Sequence, residues 1–481
     1  MAPIDDPDGS RSSRAHGSTL RSCVFVAIGR DTRRTHPTAR NKIRQCCRLA
    51  TRYDIFLRLV LFAVAAAASG FILAGCAGES TLDPTPAIYV GTGGRQQFVT
   101  PSSAQSERSM LYVTDRAPVA AGDGSLVYGS ERSRVMSFGS VDIAIDRGGA
   151  GKQAGGGQLR VGAITRVGEF PSTPYLLEST ARGFRRDSAV VAAHERAVAK
   201  LQAEVARRLV MTNRKEVVVF VHGYNNTFED AVRSTGNICE FLGEEFVCIV
   251  MSWPAGGTKG LLFGYNVDRE SGEFAIADFK KVIRAISETR GIERIHLIAH
   301  SRGSDVLASA LQQLGIESYV SQSFARSKVA NVVLCAPDLD IDVARSKIFD
   351  VPSDPDLPFG RTAKPGVALP LGDLHLTVYS SPNDKALGAS GLLFGSLARL
   401  GQVVSEPDSR WVVSHYAGLV DFIEFKGEDG LISHDYCLAN PKVSSDLAAL
   451  IRYRLPPGAP GRPLKEVRKP FWLIPGADGP P

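Results

Sequence analysis

From residue 216 onward, short apolar runs alternate with segments whose apolar positions recur at helical spacing. Val217-Val-Val-Phe-Val221 is apolar throughout and predicts a strand buried on both faces. Further strands are predicted at 246–252, 294–299, 329–335, 374–380 and 411–420. Helices are predicted between them at 228–241, 273–288 and 304–314, with a closing helix at 444–453. In the third of these helices Val306, Leu307, Ala310, Leu311 and Leu314 fall on one face. Continuous apolar strands separated by helices require a mostly parallel sheet covered on both sides.

Upstream, residues 111–114 and 140–145 alternate apolar with polar and read as strands of an N-terminal extension to that sheet. Residues 128–134 lie between them. A helix follows at 187–209: Asp187 is placed as its N-cap, and Val191, Val198, Leu201, Val205 and Leu209 line one face. The glycine-rich stretch 148–157 lacks the spacing and following helix of a phosphate cradle, so it is expected to be a flexible turn. The domain is therefore expected to span 109–455, with a Pro/Gly/Ser/Thr-rich tether at 77–108 and a Pro-rich tail at 456–481.

Charge changes the picture only at the front. The formal net charge of +6 is inflated by Arg and Lys crowded into the first 58 residues. No basic patch interleaved with aromatics accompanies it, so nucleic acid is not an expected partner. Residues 1–54 are basic, aperiodic and expected to be disordered. Within 55–76 an apolar core, 59–73, ends in Leu73-Ala74-Gly75-Cys76. A basic flank, an apolar core and small residues before a cut read as a secretory signal. The last four residues resemble the lipobox of bacterial lipoproteins, which implies acylation of Cys76, a lipid anchor and a place at the cell envelope. The other cysteines form no paired metal-ligand spacing, and Cys248 and Cys335 lie in strand patterns as buried thiols. No metal and no organic cofactor is expected.

Candidate chemistry centres on Ile295-His-Leu-Ile-Ala-His-Ser-Arg-Gly303. A strand, a tight turn holding a serine between small residues, and a helix form the setting of a nucleophile elbow, with Ser301 as nucleophile. His222-Gly223-Tyr224 follows the first buried strand, so the backbone N–H groups of Tyr224 and Arg302 are candidates for an oxyanion hole. The side chain of His222 is expected to be structural. His300 is expected to pack beside the strand end, and His296 to face a helix layer. The acid is expected between Ser301 and the histidine in chain order. Asp384, in a turn beyond the strand at 374–380, fits best; Asp338, in Pro337-Asp-Leu-Asp-Ile-Asp342, is the alternative acid. His434, in a loop before the closing helix, is preferred as base over His415, which lies in a predicted strand. Trp253-Pro-Ala-Gly-Gly257 could wall the cleft, and 256–265 and 316–327 could serve as lids or as plain connections.

Phe220-Val-His-Gly-Tyr-Asn225, the elbow, Ala336-Pro-Asp338, Tyr379-Ser-Ser-Pro-Asn-Asp-Lys-Ala-Leu387 and Ser433-His434 together resemble the bacterial esterase/lipase-like family of uncharacterised α/β-hydrolases. The resemblance covers about residues 110–455. It implies an α/β-hydrolase fold, a Ser301–Asp384–His434 triad and a place near the site for Asp338. Arg302 departs from the smaller uncharged residue usual there; it could favour acidic acyl groups or pair with Asp305. The function expected is a serine hydrolase of small-molecule or lipid esters at the envelope, working through an acyl-enzyme. The alternatives are a non-catalytic envelope binding or scaffold protein and an acyltransferase.

Overall fold

The run at 217–221 becomes β6 (Glu216–Val221), and it is buried along its whole length. The computed structural model describes residues 81–90, 98, 107–146, 157–257, 261–321, 328–350, 353–354, 374–395, 398–404, 418–427, 434–462 and 464–475. All of them fall in one compact unit, Ala67–Pro481. The basic extension 1–54, the signal-like segment 55–76 with Cys76, and the stretch 148–156 lie outside the described residues.

In chain order the strands are β1 (Glu107–Ala120), β2 (Leu126–Asp146), β3 (Gln158–Glu169), β4 (Leu177–Thr180), β5 (Gly183–Arg186), β6, β7 (Phe246–Ser252), β8 (Arg294–His300), β9 (Val329–Cys335), β10 (His375–Ser380), β11 (Val420–Glu424), β12 (Lys465–Arg468) and β13 (Phe471–Leu473). The helices are α1 (Ser188–Val210), α2 (Phe228–Leu242), α3 (Leu261–Ser287), α4 (Gly303–Ser321), α5 (Ile341–Arg345), α6 (Lys385–Phe394), α7 (Tyr436–Ala439) and α8 (Pro441–Ile451). Among the described residues, eleven strands form one sheet in the order β12-β13-β11-β10-β9-β8-β6-β7-β1-β2-β3. The stretch from β1 through β13 is parallel, and antiparallel pairs occur at both edges.

The period of two along each strand divides the core. Val217, Val219 and Val221 pack on one side with Leu201 of α1, Phe279 of α3 and Leu307 of α4. Val218 and Phe220 pack on the other with Val232 of α2 and Leu447 of α8. This is the expected α/β-hydrolase architecture, with helices on both faces of a mostly parallel sheet. The chain leaves β6 toward β7 and returns across it to β8, so the order reverses at β6. Such a switch point opens a crevice at the carboxyl ends of the strands, because the connections on its two sides leave toward opposite faces.

Several elements differ from the sequence expectation. The N-terminal extension is a long three-stranded meander that absorbs 128–134 into β2. Of the strand expected at 411–420, residues 411–417, His415 among them, lie outside the described residues, and β11 begins at Val420. Asp421 and Glu424 broke the apolar pattern there, and each has a partner: Asp421 accepts from His375 Nε2 at 2.7 Å and Trp472 Nε1 at 2.8 Å, and Glu424 pairs with Lys426. The expected tail contributes β12 and β13, whose buried Phe471 and Trp472 add an edge to the sheet. The expected tether also packs in part: Tyr89 is buried and donates to the Phe241 carbonyl at 2.8 Å. Cys239 of α2 and Cys248 of β7 are joined in a disulfide, so Cys248 is not a free thiol. The helix expected at 273–288 begins at Leu261, so much of the first lid candidate is helix. Of the second, 316–321 belongs to α4, and 322–327 lies outside the described residues.

Candidate active site

β6 and β8 are neighbours, with Val221 opposite Ala299, so the chain leaves both strands at the same edge. At the exit of β8, Ser301 has φ +52°, a left-handed conformation that costs a non-glycine residue about 1–2 kcal/mol. Neighbouring backbone holds it there. Ser301 N donates to the Cys335 carbonyl at 2.9 Å, and Asp338 N donates to the Ser301 carbonyl at 3.1 Å. Gly303 permits the turn, since a Cβ at that position would lie 2.2 Å from the His222 carbonyl oxygen. Gly223 permits the loop after β6 to reach the serine: its Cβ would lie 2.8 Å from Ser301 Cβ. The backbone flanking Tyr224 is thereby brought against the elbow, and Arg302 follows Ser301 directly at the start of α4.

Asp384 and His434 come from two other loops. Asp384 caps α6: its Oδ1 accepts from Ala386 N at 3.1 Å and Leu387 N at 3.2 Å. Those bonds fix the carboxylate and aim Oδ2 at His434 Nδ1, 2.7 Å away. His434 Nε2 lies 2.7 Å from Ser301 Oγ. Because Nδ1 faces a carboxylate it carries the ring proton, which leaves Nε2 as an acceptor for the serine hydroxyl. Burial works to lower the His434 pKa. The Asp384 carboxylate, by charge and by hydrogen bond, works against it together with the charges of Asp338 and Asp435, and the net result is a pKa above 6.5. The three side chains form a continuous chain of short hydrogen bonds that can move a proton off a hydroxyl.

The alternative acid is occupied elsewhere. Asp338 is buried and accepts from Tyr265 Oη at 2.5 Å and Ser390 Oγ at 2.8 Å, with Arg399 Nε at 3.4 Å. The carboxylate that His434 reaches is that of Asp384. Arg302 turns its guanidinium to Asp305, 2.7 Å away, and Asp305 also takes Lys347 at 2.6 Å. Its side chain is therefore engaged in an ion pair, the second of the two options its sequence position offered.

Histidines around the elbow have distinct duties. His222 is fully buried beneath its loop. Its Nε2 accepts from Trp253 N at 3.1 Å, Trp253 Nε1 donates to the His222 carbonyl at 2.8 Å, and the two rings stack at 5.0 Å. Burial, then the nearby Arg116 charge, pushes its pKa well below 6.5. Trp253 thus braces this loop from beneath. Asp268 of α3 holds the same loop by accepting from Asn225 N at 2.9 Å. Burial pushes His300 down to about 4, and the His434 charge acts in the same direction. The His300 ring is therefore neutral, and because its Nε2 faces the His434 carbonyl at 3.0 Å, that nitrogen carries the remaining proton and donates it. The sequence reading gave His300 only a packing role. Tyr265 and Asp268 were missed; the signal present was their i, i+3 spacing at the start of a helix, which puts two polar side chains on one face.

Solved structures with similarity to this chain include a lipase-esterase related protein from Clostridium acetobutylicum ATCC 824, 13% identical, covering 50% of this chain and 96% of its own, with a TM-score of 0.25. An esterase from Pyrobaculum calidifontis is 13% identical and covers 54% of this chain and 92% of its own, with a TM-score of 0.23. ESTFA, in its Fe-lacking apo form, is 15% identical and covers 51% of this chain and 78% of its own, with a TM-score of 0.24. No curated protein matches. Residues 197–454, more than half of the chain, match the family described as alpha/beta hydrolase of unknown function (DUF900). With the parallel sheet and its switch-point crevice already described, the chain belongs to that family of α/β-hydrolases.

Proposed function

We propose that the protein is a serine hydrolase that cleaves carboxylic esters through an acyl-enzyme on Ser301. The observation that carries this reading is the unbroken contact from Asp384 through His434 to Ser301, at 2.7 Å for each step. Ser301 Oγ attacks the ester carbonyl while His434 Nε2 takes its proton. The imidazolium that forms is stabilised by Asp384 and then protonates the leaving alcohol. The N–H groups of Arg302 and Tyr224 receive the developing oxyanion, commonly the largest electrostatic contribution in acyl transfer. Water, activated by His434, then cleaves the acyl-enzyme and restores the serine.

The test is labelling of the purified protein by a fluorophosphonate, beside Ser301→Ala and His434→Ala. Wild type should label, Ser301→Ala should not label because it lacks the oxygen that bonds phosphorus, and His434→Ala should lose at least about 100-fold in rate, consistent with the 10²–10⁴ contribution of a positioned base. A folded wild type that does not label would sink the reading in favour of a binding or scaffold protein.

We further propose that the mature chain is anchored at the cell envelope by a lipid on Cys76. Its support is the sequence Leu73-Ala74-Gly75-Cys76 behind an apolar core. In cell fractionation, wild type should sediment with membranes and Cys76→Ser should not. Equal membrane partition of both would dismiss the anchor.

A further inference from the structure

We infer that Arg116, on a strand upstream of the matched family region, is a positioning residue for the oxyanion loop 222–226. The inference rests on the serine-hydrolase reading for its catalytic consequence, but its structural half can be tested alone.

Arg116 lies near the end of the stretch of β1 that runs parallel to β7, where Thr114 is opposite Ser252. The pairing of β1 with β2 shifts register on both sides of Arg116. Such irregularities redirect side chains, and this one turns Arg116 into the molecule: only 1% of it is exposed. A guanidinium carries five N–H donors in a rigid plane. Each finds an acceptor here. Nε donates to Ser252 Oγ at 2.8 Å, and Nη1 to the carbonyls of Gly129 at 3.1 Å and Ala255 at 2.9 Å. Nη2 donates to the Asn226 carbonyl at 2.7 Å and to His222 Nε2 at 3.3 Å. Burial pulls its pKa only to about 10, so it stays charged near neutrality.

The five bonds divide into two groups. Three fasten the guanidinium to Gly129 of β2, to Ser252 at the end of β7 and to Ala255 just beyond it. Two reach the loop, at His222 and Asn226, on either side of Tyr224. The N–H assigned to the oxyanion is thus spanned by one rigid plane that is itself bolted to the sheet. Preorganised donors stabilise charge only if they need not move when it develops. A lysine has one nitrogen and cannot span five acceptors.

The test compares Arg116→Lys with wild type by ester kinetics, thermal melting and hydrogen–deuterium exchange of the peptide holding 222–226. The expected result is a kcat about 100-fold lower with KM within about threefold, the scale of a 1 Å misplacement, together with faster exchange in that loop. An unchanged kcat per folded molecule with a lowered melting point would overturn the inference, leaving Arg116 a purely structural residue. Should Arg116→Lys fail to fold, Ser252→Ala removes the Nε acceptor, along with the 3.3 Å contact of Ser252 Oγ to His222 Nε2, and leaves the other four bonds of Arg116 in place. It should give a smaller kcat loss, about fivefold, with the same exchange signature, and wild-type kcat and exchange there would also overturn the inference. If wild type itself hydrolyses nothing while the loop exchanges faster in Arg116→Lys, the hydrolase reading fails and the loop-positioning role stands.

Discussion

Two buried histidine–carboxylate pairs stand at opposite ends of β8. At the carboxyl end His434 meets Asp384 at 2.7 Å; at the amino end His296 meets Glu216 at 2.8 Å. Distance does not tell them apart. Their third partners do. The other ring nitrogen of His296 accepts from Asn331 Nδ2 at 2.9 Å, and Glu216 is further tied to Arg214 and Arg454. That pair is closed by partners that stay in place. The other ring nitrogen of His434 faces the hydroxyl of Ser301, held at φ +52° in the elbow. Burial lowers the pKa of His296 despite Glu216, whereas Asp384 and other nearby acids raise that of His434. A histidine–carboxylate contact thus marks a site only where one ring nitrogen is left for a group that can react.

The largest effect expected from breaking this contrast is in Asp384→Asn. Asparagine can still cap α6 through its amide oxygen, so the fold should survive. It cannot accept the Nδ1 proton while presenting its NH2 group to His434, and the ring is then favoured in the wrong tautomer. A fall in kcat of about 10⁴ is expected, by the behaviour of such triads. Glu216→Gln is the matched control. It should lower stability by about 1–3 kcal/mol, the cost of disturbing a buried hydrogen-bond set, and leave kcat per folded molecule unchanged. Ester kinetics and denaturant melts on both variants check this. A loss under tenfold in Asp384→Asn, or an equal activity loss in Glu216→Gln, would erase the distinction.

The contrast also explains what the sequence could and could not disclose. β6, β7, β8 and β9 were legible because a strand buried on both faces must be apolar at every position. The elbow was legible because a left-handed serine between close-packed backbones needs small neighbours. Asp384 was preferred over Asp338 in the sequence, although both follow strands at the same edge. The contact of Asp384 with His434, and the packing of Tyr265, Ser390 and Arg399 around Asp338, separate them in the fold. Two pieces of the meander, 111–114 and 140–145, were legible; its full length and third strand were hidden because the strands are half exposed and bulged, so Ser, Arg and Gly interrupt the alternation. β13 was hidden by its length, three residues amid proline and glycine. The disulfide was unreadable because it joins a helix to a strand through folded geometry alone. Arg116 was invisible as a functional residue because its role lies in five acceptors, four of them carbonyl or hydroxyl oxygens, drawn from distant parts of the chain.

The smallest effect separates the two pairs by the sign of a slope. For His434 the folded pKa lies above the ordinary 6.5. Its contribution to stability is fully present below 6.5 and is lost as pH rises through the folded value. For His296 the folded pKa lies below 6.5. The unfolded chain then binds the proton more readily, so stability is lost as pH falls from 6.5 toward the folded value. His222 and His300 act with the same sign as His296, so the acid side has several contributors. Melting temperature against pH should therefore lose part of its alkaline-side decline in His434→Gln and part of its acid-side decline in His296→Gln. In Ser301→Ala, which keeps both histidines and removes the hydroxyl, both slopes should persist. Parallel curves for the two histidine variants would mean that the two pairs share one electrostatic character, and the distinction would then rest on Ser301 alone.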